Sequence, residues 1–227
     1  MHSCRTCGRT SWRRRDEHGD RGPGVTRIIA GSARGRRLSV PIRGTRPTSD
    51  RVREALFSTV TSMLAEQGTG WREVHVLDCY AGSGALGLEA LSRGAASVVL
   101  IESLPSAADV IRGNIATLGL SGASVVCATV RTAAGQPKTG PPASLILLDP
   151  PYEIGATTIA EELSGLDAGG WIDPAAIGVV ERPRADETSP FPPEWSFVRQ
   201  RSYGDTALWY GQCTSATEVV DGDSGGQ

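Results

Sequence analysis

The chain has 227 residues, of which 39% are hydrophobic and 21% charged, with a formal net charge of −2. That is enough material for one full core in an ordinary globular protein. No apolar run approaches the roughly 20 residues of a membrane span, and the N-terminal MHSCRTCGRTSWRRR lacks the apolar stretch of a secretory signal, so a cytoplasmic protein is expected. Five cysteines (Cys4, Cys7, Cys79, Cys127 and Cys213) form an odd, irregular set that argues against a disulfide scaffold. The lone CxxC of Cys4 and Cys7, with His2 and His18 nearby, falls short of a structural zinc site, and no metal is expected.

The small net charge conceals an asymmetry. Residues 1–60 hold 14 Arg and five acids, a balance of +9, whereas residues 61–227 hold nine basic and 20 acidic residues, a balance of −11. An arginine-rich end suits a phosphate-rich partner, because guanidinium presents a rigid fork of donors to phosphate oxygens.

Residues 1–24 show no apolar periodicity, end in GDRGPG, and read as a disordered basic extension. TRIIAG and RRLSVP then form two β-like runs around SARG, a predicted hairpin with Gly35 in its turn and Arg34, Arg36 and Arg37 at the tip and second strand. After the loop RGTRPTSD, Ser49 or Asp50 can cap a helix RVREALFSTVTSML, whose Val52, Leu56, Thr59, Val60 and Met63 share one face. Gly68 and Gly70 end it, so residues 25–70 form an N-terminal hairpin-and-helix unit.

From residue 71 to 212 strands and helices alternate: EVHVLDCY, a glycine loop opening a helix, ASVVLIE, the helix PSAADVIRGNIATLGL, ASVVCATV, a Pro/Gly-rich connection without helix signal, and SLILLD. A helix over about 157–166, the strand AIGVVER and the paired runs WSFVRQRS and TALWYGQ follow. The pattern predicts an α/β fold, a doubly wound, mostly parallel seven-stranded sheet closed by an antiparallel pair at one edge. Residues 213–227 read as a disordered acidic tail.

Gly82, Gly84 and Gly87 spell GxGxxG directly after a strand, and Glu102 ends the next strand 20 residues beyond Gly82. This is the layout for a nucleoside-containing cofactor, with backbone approaching the ligand and an acid accepting from ribose hydroxyls. Alone it does not choose between a nicotinamide cofactor and S-adenosylmethionine. Asp78, four residues before Gly82, favours the second, since a carboxylate suits a sulfonium and an amino group better than a pyrophosphate.

The segment SLILLDPPY ends the most apolar strand with Asp149, then Pro150, Pro151 and Tyr152. The prolines fix φ and contribute carbonyls without competing N–H donors. With the Asp149 carboxylate and the flat face of Tyr152, they suit a planar group bearing an NH₂, such as a nucleobase amine. Such an amine is a weak nucleophile, and acceptors at its hydrogens return electron density to nitrogen and aim it. A stacked base must be flipped to reach such a pocket.

On RIIAGSARGRRL, RPTSDRVREALF, LDCYAGSGALGLEALSRGA, LLDPPY and RSYGDTALWYG, the chain resembles the bacterial 16S rRNA guanine-N2 methyltransferases of the RsmD type from about Thr26 to Gln212. The resemblance implies a class I methyltransferase fold and S-adenosylmethionine as cofactor. It implies that Asp149, Pro150 and Tyr152 hold the guanine amine, that Asp78, Ala81, Gly82, Ser83 and Gly84 hold the methionine part of the cofactor, and that Glu102 holds its ribose. Thr129 falls where relatives carry an Asp or Asn against the adenine. Arg34, Arg36, Arg37, Arg46, Thr48, Arg51 and Arg53 would grip 16S rRNA, within an assembling or assembled 30S subunit. A monomer without membrane attachment is expected.

Three other readings compete, one of them an RNA-binding module without catalysis, which would keep the basic hairpin but need not keep the Asp149 and Tyr152 that are present. A nicotinamide-dependent oxidoreductase leaves the DPPY segment and the arginine arm without a role, and the single lysine, Lys138, sits in a predicted loop. An amino-methyltransferase acting on adenine N6 in DNA or RNA would share the DPPY chemistry, and only the hairpin resemblance separates it from the guanine reading.

Overall fold

The computed structural model describes residues 25–41, 49–138 and 140–214. The expectations for residues 1–24, Arg46, Thr48 and residues 215–227 therefore lie outside the described residues.

The N-terminal unit opens with β1 (Val25–Arg27) paired antiparallel to β2 (Arg37–Ser39). These strands are shorter than the predicted runs because the residues between them serve another partner. The amides of Ile29 and Ala30 donate to the buried Glu89 carboxylate at 2.6 and 3.0 Å, and those of Ser32 and Ala33 donate to the Ser92 carbonyl and hydroxyl. Gly31 sits at φ 82°, where a Cβ would come within 1.8 Å of the Ser92 carbonyl oxygen, so only glycine permits this approach. Glu89 and Ser92 both belong to helix α2 (Ala85–Ser92), so the hairpin's connection is docked on the glycine-loop helix.

Helix α1 (Asp50–Glu66) starts where Ser49 Oγ accepts from the Val52 amide at 3.3 Å. Its predicted apolar face, Val52, Leu56, Thr59, Val60 and Met63, is buried, together with Arg53, Phe57 and Leu64.

The main sheet comprises β3 (His75–Cys79), β4 (Ser97–Glu102), β5 (Ala123–Cys127), β6 (Ala143–Leu148), β7 (Ile172–Pro183), β8 (Trp195–Tyr203) and β9 (Thr206–Cys213). Their order is β5-β4-β3-β6-β7-β9-β8, parallel from β5 to β7 and antiparallel across the β7–β9–β8 edge. The predicted doubly wound sheet, the small N-terminal hairpin and the antiparallel edge are all present. Helices α2 (Ala85–Ser92), α3 (Pro105–Leu118), α4 (Val130–Ala134) and α5 (Ala156–Ala168) supply the crossovers. The short α4 occupies the connection read as helix-poor; Thr129 Oγ1 starts it by accepting from the Thr132 amide at 3.1 Å. β9 runs through Cys213, one residue into the stretch read as tail.

Strand alternation divides the core into two layers. Val76, Leu145, Leu147, Ile177 and Val179 pack with α1, α2 and α3 on one face, while Leu77, Ile146, Leu148 and Val180 pack with α4 and α5 on the other. By the same alternation Asp78, Asp149 and Glu181 turn toward the first face, the side that carries the N-terminal unit. Strand order reverses between β3 and β6, which puts the ligand-binding crevice of an open α/β sheet at their carboxyl ends. Among the described residues, no helix is long and apolar enough to cross a membrane.

Candidate active site

A cavity of about 680 Å³ opens at that reversal point. Its walls include Gly82 after β3, Glu102 at the end of β4 and Leu104 beyond it, Thr129 after β5, the segment Asp149–Ile154 after β6, and Glu181 near the end of β7. Asp149, Pro150 and Tyr152 are thereby brought together with Gly82, Glu102 and Thr129.

The glycine loop is shaped by local bonds. Tyr80 adopts φ 63°, unusual for a side chain of its size. This turns its ring to the α4–α5 side, where its hydroxyl donates to Glu162 on α5. Burial and the Glu162 carboxylate both push the Tyr80 phenol upward, so it stays protonated. Glu102 accepts from the Gly82 amide at 2.9 Å through one oxygen and from the Leu104 amide at 2.8 Å through the other. Two backbone donors thus fix a carboxylate in the cavity wall while leaving it further lone pairs.

Asp78, Ala81, Ser83 and Gly84 lie behind this wall rather than in it. Asp78 is 1% exposed and accepts from the Gly87 amide of α2 at 2.8 Å. Burial pushes its carboxyl up to about 7, with the Gly87 N–H pulling the other way and Asp149 and Glu102 adding to the rise. Strand parity aims it beneath α2, which makes it a brace for the loop instead of the direct cofactor contact expected from sequence. The Ala81 amide donates to Ile101 and the Gly84 amide to Ala81, while the Ser83 carbonyl accepts from Asn114 at 2.9 Å.

Asn114 also exchanges two 2.9 Å hydrogen bonds with the Ser39 backbone, so one buried side chain ties β2, the glycine loop and α3 together. Its signal in the sequence is a polar residue in register with the buried Ala107, Ala108, Ile111 and Leu118 of α3.

After β6, Pro150 is buried while Pro151 and Tyr152 are exposed, Tyr152 by 52%. The Ile154 amide closes a turn on the Pro151 carbonyl at 3.0 Å. Arg182, buried in β7, donates to the Ile154 carbonyl at 2.6 Å and is itself held by Asp186. The DPPY exit is therefore pinned from the neighbouring strand. Sequence reading passed over Arg182, Glu162 and Glu181; for Glu181 the available signal was an acid near a strand end, as at Asp78, Glu102 and Asp149.

The basic residues divide into two sets. Arg34, Arg37 and Arg51 are exposed. Arg36 is exposed too, but donates to the carbonyls of Leu118, at 2.8 Å, and Thr117 at the end of α3, tying the hairpin to the sheet domain. Arg53 is 1% exposed and donates to the Arg27 carbonyl at 2.8 Å and to Asp50 at 2.7 Å. Its predicted role as an RNA contact is corrected to an internal tie, because α1 turns position 53 inward beside Val52, Leu56 and Phe57. A second cavity, of about 690 Å³, lies between the N-terminal hairpin and α1, with Arg27, Arg34 and Arg93 on its walls.

Comparison with known proteins adds the lineage. The family described as Conserved hypothetical protein 95 matches residues 26–212. Ribosomal RNA small subunit methyltransferase D of Escherichia coli is 38% identical over 187 residues, covering 82% of this chain and 89% of that protein. The Haemophilus influenzae protein of the same name is 35% identical over 185 residues, covering 80% and 90%. The solved structure of the Escherichia coli protein yhhF, described as a methyltransferase, superposes with a TM-score of 0.71 at 37% identity, covering 85% of this chain and all of that one.

Proposed function

The chain belongs to the Conserved hypothetical protein 95 family, the methyltransferases of the RsmD type, and from that membership together with the cavity we propose that it methylates the exocyclic N2 amine of a guanine in 16S rRNA. The observation that carries this reading is a single cavity wall shared by the DPPY segment, Gly82 and Glu102. S-adenosylmethionine is the proposed cofactor, and when bound it supplies an electrophilic methyl group on a sulfonium centre.

The residues present fit that cofactor. Glu102, fixed by two amides, accepts from a ribose diol; Ile101, Leu104, Ala107 and Val130 offer apolar walls to a purine; and Thr129 provides a hydroxyl at its edge. Asp78, Ala81, Ser83 and Gly84 hold the loop in shape. The acidic lining of Glu102, Asp149, Glu162 and Glu181 favours a cationic ligand over a pyrophosphate.

At the substrate end, a flipped guanine lays its plane against Tyr152, whose half-exposed ring is available for stacking. Asp149 accepts from the N2 amine, which raises its nucleophilicity and orients its lone pair. The prolines add no N–H that would compete for the Asp149 carboxylate. After transfer the amine is strongly acidic and releases its proton to water. Arg34, Arg37 and Arg51 supply phosphate contacts, and the substrate is 16S rRNA within an assembling or assembled 30S subunit.

The test is to incubate the protein and methyl-labelled S-adenosylmethionine with 30S subunits lacking the modification, with naked 16S rRNA and with DNA, and then to identify the labelled nucleoside. Label in N2-methylguanosine is the expected result. Label in N6-methyladenine, or in DNA, would move the substrate away from guanine in rRNA.

A further inference from the structure

Beyond its share in the acidic lining, Glu181 has no assigned role, yet it lines the same cavity as Asp149 and is 7% exposed. Strands β6 and β7 are parallel neighbours in the register Leu147↔Val179 and Leu148↔Val180. Asp149, the residue that follows β6, and Glu181 of β7 come next, and alternation carried on by one residue turns both toward the face that carries α1 and the hairpin. Extended by one step, that register sets the two carboxylates on neighbouring chain segments about 5 Å apart, both on the cavity wall. Arg182, the next residue of β7, turns to the opposite face and holds Ile154, so the backbone that carries Glu181 is braced against the DPPY segment.

A nucleobase meets this pair with its Watson–Crick edge. Guanine presents two adjacent donors there, N2–H and N1–H. Adenine presents one donor, the N6 amine, beside the N1 lone pair. A carboxylate next to the amine acceptor attracts the first arrangement and repels the second. Because a carboxylate offers about four lone-pair positions, bonds within the protein leave it able to accept another.

We propose that Glu181 reads guanine N1–H while Asp149 accepts from the N2 amine, so that the β6–β7 carboxylate pair selects guanine over adenine. The proposal rests on the N2-methyltransferase reading above and supplies its base specificity. A buried acceptor facing a ring lone pair has no partner, and loss of one such recognition pair changes discrimination by about tenfold or more.

The test uses an RNA spanning the nucleotide that the wild-type protein labels, made with either guanine or 2,6-diaminopurine at that position. Diaminopurine keeps the N2 amine but has a lone pair in place of N1–H. The wild-type protein should methylate the guanine RNA about tenfold faster or more. Glu181→Gln, whose amide can accept from N1–H or donate to N1, should reduce that preference to within about threefold, whereas Glu181→Asp should keep its direction. Because each preference is a ratio within one preparation, a partly folded variant does not distort it. If Glu181→Gln turns over neither RNA, the same ratio is read from their competition for binding. An unchanged preference in Glu181→Gln, alongside N2-methylguanosine as the wild-type product, would overturn the role of Glu181 alone. N6-methyladenosine as the wild-type product would overturn the guanine reading and this inference with it.

Discussion

The ends of β3 and β6 present the same residue type at the same edge of the sheet, on the same face, and put it to different uses. Asp78 is followed by a glycine loop that turns at once into α2, and the Gly87 amide takes up its carboxylate. A Cβ at Gly87 would stand 3.0 Å from that carboxylate oxygen and 2.7 Å from Val98, so helix and acid are packed as one unit. Asp149 is followed by two prolines, which have no N–H with which to draw it back, and it lines the cavity. An acid near a strand end thus becomes a brace or a cavity-lining group according to the donors its next residues can offer. The arginines of the N-terminal unit repeat the lesson, Arg53 facing the core and Arg34, Arg37 and Arg51 facing solvent.

Removing the acceptor at the β6 end should have the largest effect. Asp149→Ala is expected to lower methyl transfer at saturating cofactor at least about a hundredfold, the scale seen when a positioned transition-state partner is deleted; single-turnover rates measure it. Arg53→Ala should cost about 3 kcal/mol of stability, since it strips a buried tie from Asp50 and the Arg27 carbonyl and opens space beneath α1. Urea unfolding reads that loss, and a fully stable variant would put Arg53 back among the surface contacts.

The outward arginines should behave in the opposite way. Replacing Arg34, Arg37 and Arg51 with Ala should leave stability nearly unchanged and flatten the salt dependence of RNA binding by about two in log–log slope, as expected for three phosphate contacts on a single strand. A pH-dependent effect belongs to the β3 end. The Asp78 carboxyl titrates near 7 when folded, against 3.8 for an ordinary aspartate, so the folded state holds a proton that the unfolded chain has released. Stability from this group therefore falls as pH rises from about 4 to about 7. Asp78→Asn keeps an acceptor for Gly87 and should remove that decline, which thermal melts of the two proteins across this window would record.

Much of the molecule was legible in advance because local patterns and global fold agree. The buried face of α1 followed helical periodicity, and LDCYAGSG, LIE and LLDPPY marked strand ends that the parallel sheet brings to one crevice. What escaped was decided across the fold. The strand run TRIIAG ends at Arg27 because Glu89 and Ser92, some 60 positions away, take its next amides. Asp78 faces α2 through strand parity, which a motif does not record. Arg53 matched an RNA-binding pattern in sequence, but helical phase turned it inward. Asn114 and Arg182 each work through a partner on another element, and no spacing within their own segments announces that partner. Helix α4 is a single turn and a half started by the Thr129 hydroxyl, too short for periodicity to reveal.

The division of labour between the two strand ends can be tested by titrating S-adenosylmethionine into Asp149→Ala by calorimetry. If Asp149 serves the substrate amine while Gly82, Glu102 and Thr129 hold the cofactor, affinity should stay within about threefold of the wild-type value even though methyl transfer is lost, a difference below about 0.7 kcal/mol. A fall in cofactor affinity as large as the fall in turnover would place Asp149 in the cofactor site and contradict the account.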